Sequence, residues 1–358
     1  MINKLYLLLI TLFLSSYFYS IVEEDPLPTL GDYSSASISL SGEYELGRLW
    51  LAMYRGSTKE HSDPLMRTYL EDLIYRLSET SEVRDRRFEF IILEDESINA
   101  FAAPGGIIGI NLGMFLNTKR EGELASVMCH ELAHLSQRHY ARSQNRSSPL
   151  ANALMILGSI AVAAASRNPE AIMIAPAAMQ QMSINYTRSN EKEADRIGFN
   201  NLVKAGFDPN DMTMMFQRMQ DKYQRDDSEQ FSYLMTHPLP SERLTDMRIR
   251  ADNISKPSEG SFRDNLDFYF MQKRSEIWAE KDTKELIKKY RKDLKSDQRK
   301  VSLASRYGLA LALKKDKKYE ESFKILRELI KEIPNNLVLE SSLMEIHLSA
   351  KNYYEAIS

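Results

Sequence analysis

Cysteine is nearly absent from this chain: Cys129 is the single cysteine among 358 residues. An intramolecular disulfide is therefore excluded, and so are iron–sulfur clusters and zinc sites built from several thiolates. A basic excess is also lacking, because 47 Lys and Arg stand against 50 Asp and Glu, a net charge of −3. That balance gives no indication of a nucleic-acid-binding protein. Disorder over most of the chain is excluded by its 43% of apolar residues.

The charge is divided unevenly along the chain. Residues 261–358 carry 21 basic and 16 acidic side chains, a net +5, and the remainder carries a net −8. A chain of this length is expected to form two or three domains, and the change of charge predicts a boundary near residue 260. Residues 253–261 (NISKPSEGS) have the composition of a linker.

The N-terminus has the pattern of a secretory signal. Lys4 precedes the uncharged, mostly apolar run Leu5–Ser20, and an acidic segment follows at 23–25. We therefore predict a signal peptide over 1–20, a linker over 21–38 and export of the rest of the protein. A small-x-small cleavage pair is lacking, so an uncleaved signal anchor stays an alternative.

Periodicity predicts a mostly helical domain with a small sheet over 39–252. Three apolar runs predict strands of a mixed or antiparallel sheet, at Arg87–Leu93, Ile98–Ala103 and Ile107–Ile110. Helical patterns cover 41–54, the segment from Asp63-Pro64 onward, 121–142, 190–204, 210–223 and 241–251. The apolar stretch Leu150–Ser166 is slightly short for a membrane span. We interpret it as a helix packed on the domain, with a membrane-touching element as the alternative.

The strongest chemical signal is the pentapeptide HELAH at 130–134. It lies in a helical pattern, so His130 and His134 fall one turn apart on one face and can share a metal ion. Glu131 lies next to that face, within reach of a water molecule at the metal. A purely structural pair of helix histidines is the alternative. On a continuous helix, His139 would lie well off the ligand face, so we predict that it is a surface residue; Cys129 is predicted to be buried.

A second motif, NEKEAD at 190–195, lies in another predicted helix. Glu191 and Asp195 are four residues apart and therefore share a face. One carboxylate can complete a zinc site with the two histidines, while the other accepts the second ring N–H of a ligand histidine. Glu193 points elsewhere and is predicted to be a surface residue.

Residues 262–358 repeat with a period of 34. Leu309 and Tyr319 recur as Leu343 and Tyr353, which is the spacing of tetratricopeptide units. The period predicts stacked helix–turn–helix repeats. We expect the array to continue beyond the last residue, because repeat arrays need neighbours and a cap.

HELAH, NEKEAD and THPLPSER (Thr236–Arg243), in this order, resemble the HtpX-type zinc metallopeptidase family. The stretch Ile98–Ala102 with the following Pro104-Gly105-Gly106 is similar to the family as well, and the resemblance extends over about residues 30–358. It implies an α+β zincin-like metallopeptidase domain of the gluzincin type, followed by an all-α tetratricopeptide repeat domain over 262–358.

Carried over by position, the resemblance implies a ligand set for one Zn²⁺ ion per chain. His130, His134 and Glu191 would bind the zinc, Glu131 would be the general base, and Asp195 would support a ligand histidine.

Three further features are implied by the resemblance alone. His237 is similar to a family histidine that can occupy the fourth zinc position and keep the enzyme latent; the same residue could donate to the oxyanion instead. Arg243 falls at a recurrent family arginine whose role stays open. The strand Ile98–Ala103 would take up an extended substrate by strand addition.

The implied function is zinc-dependent hydrolysis of peptide bonds in the periplasm, with a chaperone-like role. The clients would be unfolded or misassembled outer-membrane β-barrel proteins, and the partners would be the barrel-assembly and lipopolysaccharide-export machinery; association with a membrane surface stays open. Two alternatives remain at this point. One is a membrane-anchored quality-control metallopeptidase, and the other is mainly a client-binding protein with a latent site.

Overall fold

The computed structural model describes residues 38–144, 186–225, 233–234, 237–254 and 262–357. The predicted signal peptide, the stretch Leu150–Ser166 and nearly all of both predicted linkers lie outside the described residues. Within the described ranges, no helix is both long enough and apolar enough to cross a membrane.

The elements that precede residue 254 are mostly helices, with three short strands. In chain order they are α1 Leu40–Ser57, α2 Pro64–Glu79, β1 Glu89–Leu93, β2 Ala100–Ala103, β3 Ile107–Asn111, α3 Leu112–Asn117, α4 Glu121–Ser136, α5 His139–Gln144, α6 Arg188–Lys204, α7 Asn210–Arg225 and α8 Ser241–Asp252. A mostly helical domain with a small sheet is therefore confirmed.

Helix α2 shows how local sequence sets these bounds. The carboxylate of Asp63 accepts hydrogen bonds from the amides of Leu65 and Met66, and Pro64 occupies the first helical position, where its missing N–H costs nothing. Its apolar face, which includes Tyr69, Leu73 and Leu77, is buried. The helix thereby packs on the main core and supports α4, which it contacts.

The sheet has the strand order β1-β3-β2. β1 runs parallel to β3, with Glu89 opposite Ile107, and β2 runs antiparallel to it, so the mixed form of the prediction is correct. Gly105 and Gly106 both have φ of 76°, which explains why glycines form the tight turn between β2 and β3. β2 lies at the end of this three-stranded sheet and packs against α4.

Helices α4 and α6 cross at very short range. A Cβ atom placed on Gly198 of α6 would lie 2.9 Å from the backbone nitrogen of His130 and 3.0 Å from the carbonyl oxygen of Cys129. Such contacts are too short for any residue but glycine. The crossing brings one face of α6 directly against the turn of α4 that carries the histidine motif, and Cys129 is buried there as predicted.

The prediction of a continuous helix from Glu121 to about Arg142 is wrong. α4 ends at Ser136, and Arg138 adopts a left-handed conformation with φ of 50° before α5 begins. Arg138 donates a hydrogen bond from Nε to Glu43 at 3.2 Å and another to the carbonyl of Ile38. These tertiary contacts hold a conformation that helical propensity alone disfavours.

The described residues after 262 are helical. These helices are α9 Leu266–Ala279, α10 Thr283–Asp293, α11 Arg299–Lys315, α12 Tyr319–Glu332, α13 Leu337–Ser349 and α14 Tyr353–Ile357. α9 packs against α2 and α3, and Phe268 of α9 is fully buried within the same hydrophobic core as Phe115 of α3. The predicted domain boundary at 253–261 stays a prediction, because most of that segment lies outside the described residues.

Candidate metal centre

Four potential metal ligands from three parts of the chain converge in the interior. His130 and His134 lie on α4, Glu191 lies on α6, and His237 precedes α8; their ligand atoms all lie within 4.8 Å of one another, and all four residues are buried. The Nε2 atoms of the two α4 histidines are 2.9 Å apart. His237 Nδ1 is 3.4 Å from His130 Nε2 and 3.1 Å from Glu191 Oε1.

The spacing of these donors fits a tetrahedral metal ion. Zinc–nitrogen and zinc–oxygen bonds of about 2.0–2.1 Å in a tetrahedron place the ligand atoms roughly 3.3 Å apart. The carboxylate of Glu191 lies 3.5 Å from His130 Nε2 and 3.4 Å from His134 Nε2. Three imidazoles and one carboxylate at such distances are a donor set that suits zinc.

Glu131 lies beside the donor cluster rather than in it. Its carboxylate accepts no side-chain hydrogen bond among the described residues, and Oε1 is 3.6 Å from His237 Nε2. Burial raises the pKa of Glu131 above its ordinary value, although a backbone hydrogen bond from Ala102 opposes the shift. A buried carboxylate without a side-chain donor is a stronger base than a solvated one and is positioned to exchange a proton.

His130 contacts a buried carboxylate, which in turn binds a buried arginine. Its Nδ1 lies 3.0 Å from Asp195 Oδ1. Arg243 donates from Nε and Nη2 to the two oxygens of Asp195, at 2.6 and 2.7 Å. The guanidinium also lies 3.0 Å from Glu191 Oε2 and donates to the carbonyl of Pro238, at 2.6 Å. Arg243, whose role the sequence leaves open, thus connects the α6 carboxylates to the segment that carries His237.

His139 is not a surface residue, contrary to the prediction. Its ring is fully buried, and its Nδ1 lies 2.8 Å from His134 Nδ1. The change of direction at Arg138 returns His139 to the ligand histidine. Glu193, predicted to be a surface residue, is only partly exposed and accepts from His139 Nε2 at 3.1 Å and from Arg142 Nη1 at 2.8 Å.

Two tyrosines that sequence reasoning missed enclose the donors. Tyr186 stacks on His134 with a ring-centroid distance of 4.0 Å, and Tyr233 stacks on His237 at 4.6 Å. Tyr233 lies four residues before His237 and bonds to it through the backbone, whereas Tyr186 has no local relation to His134. Their rings exclude solvent from the histidines, which strengthens electrostatic interactions among the donors.

The electrostatics of the cluster favour a cation. Burial opposes ionisation of Glu191, but His237 and His130 hold its pKa well below the ordinary value. Burial alone would lower the pKa of His130, yet hydrogen bonds to Asp195 and Glu191 raise it to about 9. Burial lowers the pKa of His134 well below its ordinary value, which leaves that imidazole neutral, as a metal ligand must be.

Comparison with known proteins gives a family match and several similar proteins. Peptidase family M48 matches residues 64–251, which is just over half of the chain. The chain is 35% identical to the beta-barrel assembly-enhancing protease of Yersinia pestis over 344 residues, and 34% identical to that of Escherichia coli K12 over 345 residues. These matches cover 94% and 93% of this chain and 69% of each relative. The mitochondrial metalloendopeptidase OMA1 of Schizosaccharomyces pombe is 25% identical over 234 residues, which are 64% of this chain and 66% of that protein.

Proposed function

Because this chain belongs to peptidase family M48, we propose that it is a zinc-dependent endopeptidase that acts on misassembled outer-membrane proteins. The observation that carries this proposal is the convergence of His130, His134, Glu191 and His237 on one point, with Glu131 beside it. The names of the Yersinia and Escherichia relatives support the client class. We assign the protein to the periplasm, with a chaperone-like role in barrel assembly.

His130, His134 and Glu191 would hold the zinc. When bound, zinc supplies Lewis-acid activation of water and polarisation of a carbonyl group. Glu131 accepts a proton from the attacking water and passes it to the leaving amine, because its carboxylate is buried, basic and without a side-chain hydrogen-bond donor among the described residues. Asp195 holds the Nδ1 proton of His130 and thereby orients the Nε2 lone pair toward the donor cluster.

His237 is proposed to regulate access to the centre. Its Nδ1 fills the fourth donor position, 3.1 Å from the Glu191 carboxylate, where a peptidase needs an open place for water. The arrangement would keep the site latent, and departure of the His237 ring would open it. Once released, the same imidazole could donate to the oxyanion.

The substrate is proposed to bind as an extended strand along β2. β2 lies at the end of the described sheet and contacts α4, so a peptide paired with its outer edge would run past Glu131. Backbone pairing of this kind suits a protease that recognises unfolded clients rather than one sequence.

The helices after residue 262 are proposed to be tetratricopeptide repeats that bind clients and assembly partners. The 34-residue period of the sequence has a structural counterpart. α12 and α14 begin 34 residues apart, at Tyr319 and Tyr353, and the turns before them hold Lys317 and Lys351, both left-handed with φ of 61° and 64°. The barrel-assembly and lipopolysaccharide-export machinery are the proposed partners.

Exchange of Glu131 for Gln tests the proposed reaction. Glu131→Gln should retain zinc, since Glu131 is not one of the clustered ligands, and proteolysis of an unfolded outer-membrane β-barrel protein should fall about 10²–10⁴-fold. The measurement is zinc content and cleavage rate of the same preparation. A Glu131→Gln protein that cleaves at the wild-type rate would disprove the assigned base.

A client-binding function with rare catalysis is the second candidate. The position of His237 within the donor set favours it, because a filled fourth position opposes turnover. Under this alternative, Glu131→Gln restores most of the outer-membrane assembly that is lost on deletion of the protein. Under the peptidase proposal it does not.

A further inference from the structure

His139 contacts His134 only because α4 ends where it does. Five residues after His134, a continuous helix would turn a side chain by about 140° from the ligand face. Instead, Arg138 takes φ of 50° and α5 begins at His139. Arg138 is held in place by Glu43 at 3.2 Å. The backbone thus adopts a sparsely populated conformation at the point where it returns His139 to the metal centre, a pattern typical of functional sites.

The hydrogen bonds that connect His134 to His139 and His139 to Glu193 all have the donor on the side of His134. His134 points Nε2 at the donor cluster, 2.9 Å from His130 Nε2, so its proton belongs on Nδ1. That N–H can only donate, and the atom 2.8 Å away is Nδ1 of His139, which must therefore accept. The remaining proton of His139 lies on Nε2 and is donated to Glu193 at 3.1 Å. Arg142 donates to the same Glu193 oxygen at 2.8 Å.

We propose that His139 and Glu193 are positioning residues for the metal centre: they fix the tautomer and ring orientation of His134 and make its Nε2 a better ligand. This inference rests on the proposed zinc site. Groups that accept the second N–H of a ligand histidine act in this way. The ring of His139 is fully buried, and Glu193 is 28% exposed at its side chain, so the effect passes from a partly solvated carboxylate to a buried ligand through one neutral imidazole.

The direct test compares metal binding by variants that remove or preserve the acceptor. His139→Leu removes it, whereas His139→Asn keeps an oxygen near the position of Nδ1. Glu193→Gln removes the negative charge from a partly exposed site and is the variant least prone to misfold. Lys192→Met is the matched control, since Lys192 is the adjacent α6 residue and forms only an exposed ion pair with Glu242.

The readouts are Zn²⁺ affinity by chelator competition and the visible absorption spectrum of the Co²⁺-loaded protein. We expect His139→Leu to weaken Zn²⁺ binding about 10- to 100-fold and to alter the Co²⁺ spectrum. His139→Asn should recover most of the wild-type Zn²⁺ affinity. The affinity of Glu193→Gln should lie between those of the two His139 variants, and Lys192→Met should bind Zn²⁺ as tightly as wild type. The metal-free His139→Leu and wild-type proteins are compared by thermal unfolding, so that a folding defect is recognised.

Two failures are distinguishable. If the wild type binds no Zn²⁺, the proposed function fails, and with it the premise of this inference. If the wild type binds Zn²⁺ and both His139→Leu and Glu193→Gln bind it equally well with the wild-type Co²⁺ spectrum, the positioning role alone is overturned.

Discussion

Charged groups are buried at both ends of α4, but the partners of these groups differ between the two ends. At the first turn, Glu121 and Glu123 are essentially inaccessible to solvent. Arg218 donates to Glu123 at 2.7 Å, and the amide of Lys119 donates to its other oxygen at 2.6 Å. Glu121 accepts from the hydroxyl of Tyr69 at 3.1 Å and from a backbone amide at 2.8 Å. Every carboxylate oxygen of these two glutamates has a donor, and the acidic groups suit the positive end of the helix dipole.

Farther along α4, its metal-ligand donors face one another. His130 and His134 direct Nε2 at the same point, and Glu191 completes the set. The arginine at this end, Arg243, binds Asp195 and only one side of Glu191. The difference teaches that burial of charge does not by itself mark a functional site. A buried group whose partner is a complementary protein group serves the fold, whereas lone pairs that converge on each other indicate a cation-binding site.

The largest effect is expected from the buried arginine at the metal end. Arg243→Met leaves Asp195 and Glu191 without their counter-ion, and breaking a buried pair in this way costs about 3–5 kcal/mol. Urea unfolding of the metal-free protein measures the loss. Arg250→Met is the matched control on the same helix, because Arg250 pairs only with the exposed Asp246 and should change stability by less than about 1 kcal/mol. Equal losses of stability in the two variants would contradict the assignment of Arg243 as a buried counter-ion.

A smaller effect is expected from the arginine at the other end of α4. Arg218→Met removes the ion pair to Glu123 but retains the Lys119 amide contact, and the arginine side chain is 24% exposed. We expect a loss of about 1–3 kcal/mol in the free energy of unfolding, with Zn²⁺ affinity unchanged. If this variant weakened Zn²⁺ binding, the separation between the two ends would be wrong.

A further effect is confined to the pH dependence of stability. Asp211 is buried against Gly122 in the first turn of α4, and burial raises its pKa to about 7. In the unfolded chain an Asp ionises near pH 4. The folded protein therefore holds this proton more tightly, so the contribution of Asp211 to stability is present below about pH 4 and is lost as the pH rises to about 7.

Asp211→Asn should flatten this part of the pH dependence. Urea unfolding at pH 5 and pH 8 measures the change for wild type and variant. The fall in stability between the two pH values should be smaller in Asp211→Asn, and its Zn²⁺ affinity should equal that of wild type. An identical fall in stability in both proteins would show that Asp211 does not cause this pH dependence.

The sequence predicts which residues are metal ligands better than it predicts how closely α4 and α6 approach, for physical reasons. The i, i+4 spacing of His130 and His134 dictates a shared helix face, so their convergence needs no tertiary information. Glu191 follows from the same periodicity together with the family resemblance. The crossing of α4 and α6 at Gly198 decides how close the two motifs approach, and no local pattern reveals that distance.

The errors arise where tertiary contacts override local preference. The pattern after His134 favours continued helix, but Glu43 and the Ile38 carbonyl hold Arg138 in a left-handed conformation that ends it. His139 is therefore buried rather than exposed. Tyr186 reaches His134 from a segment far away in the chain, so its role depends on the fold alone.

The most direct measurement of the central claim is the metal content of the purified protein, wild type beside Glu191→Gln. We predict about one zinc ion per wild-type chain, as for other two-histidine, one-glutamate sites. Glu191→Gln should lose it or bind it far more weakly, because one of the four clustered donors is removed. A folded wild-type protein that takes up no zinc would contradict the account at its base, and the helices after residue 262 would become the leading candidate for function.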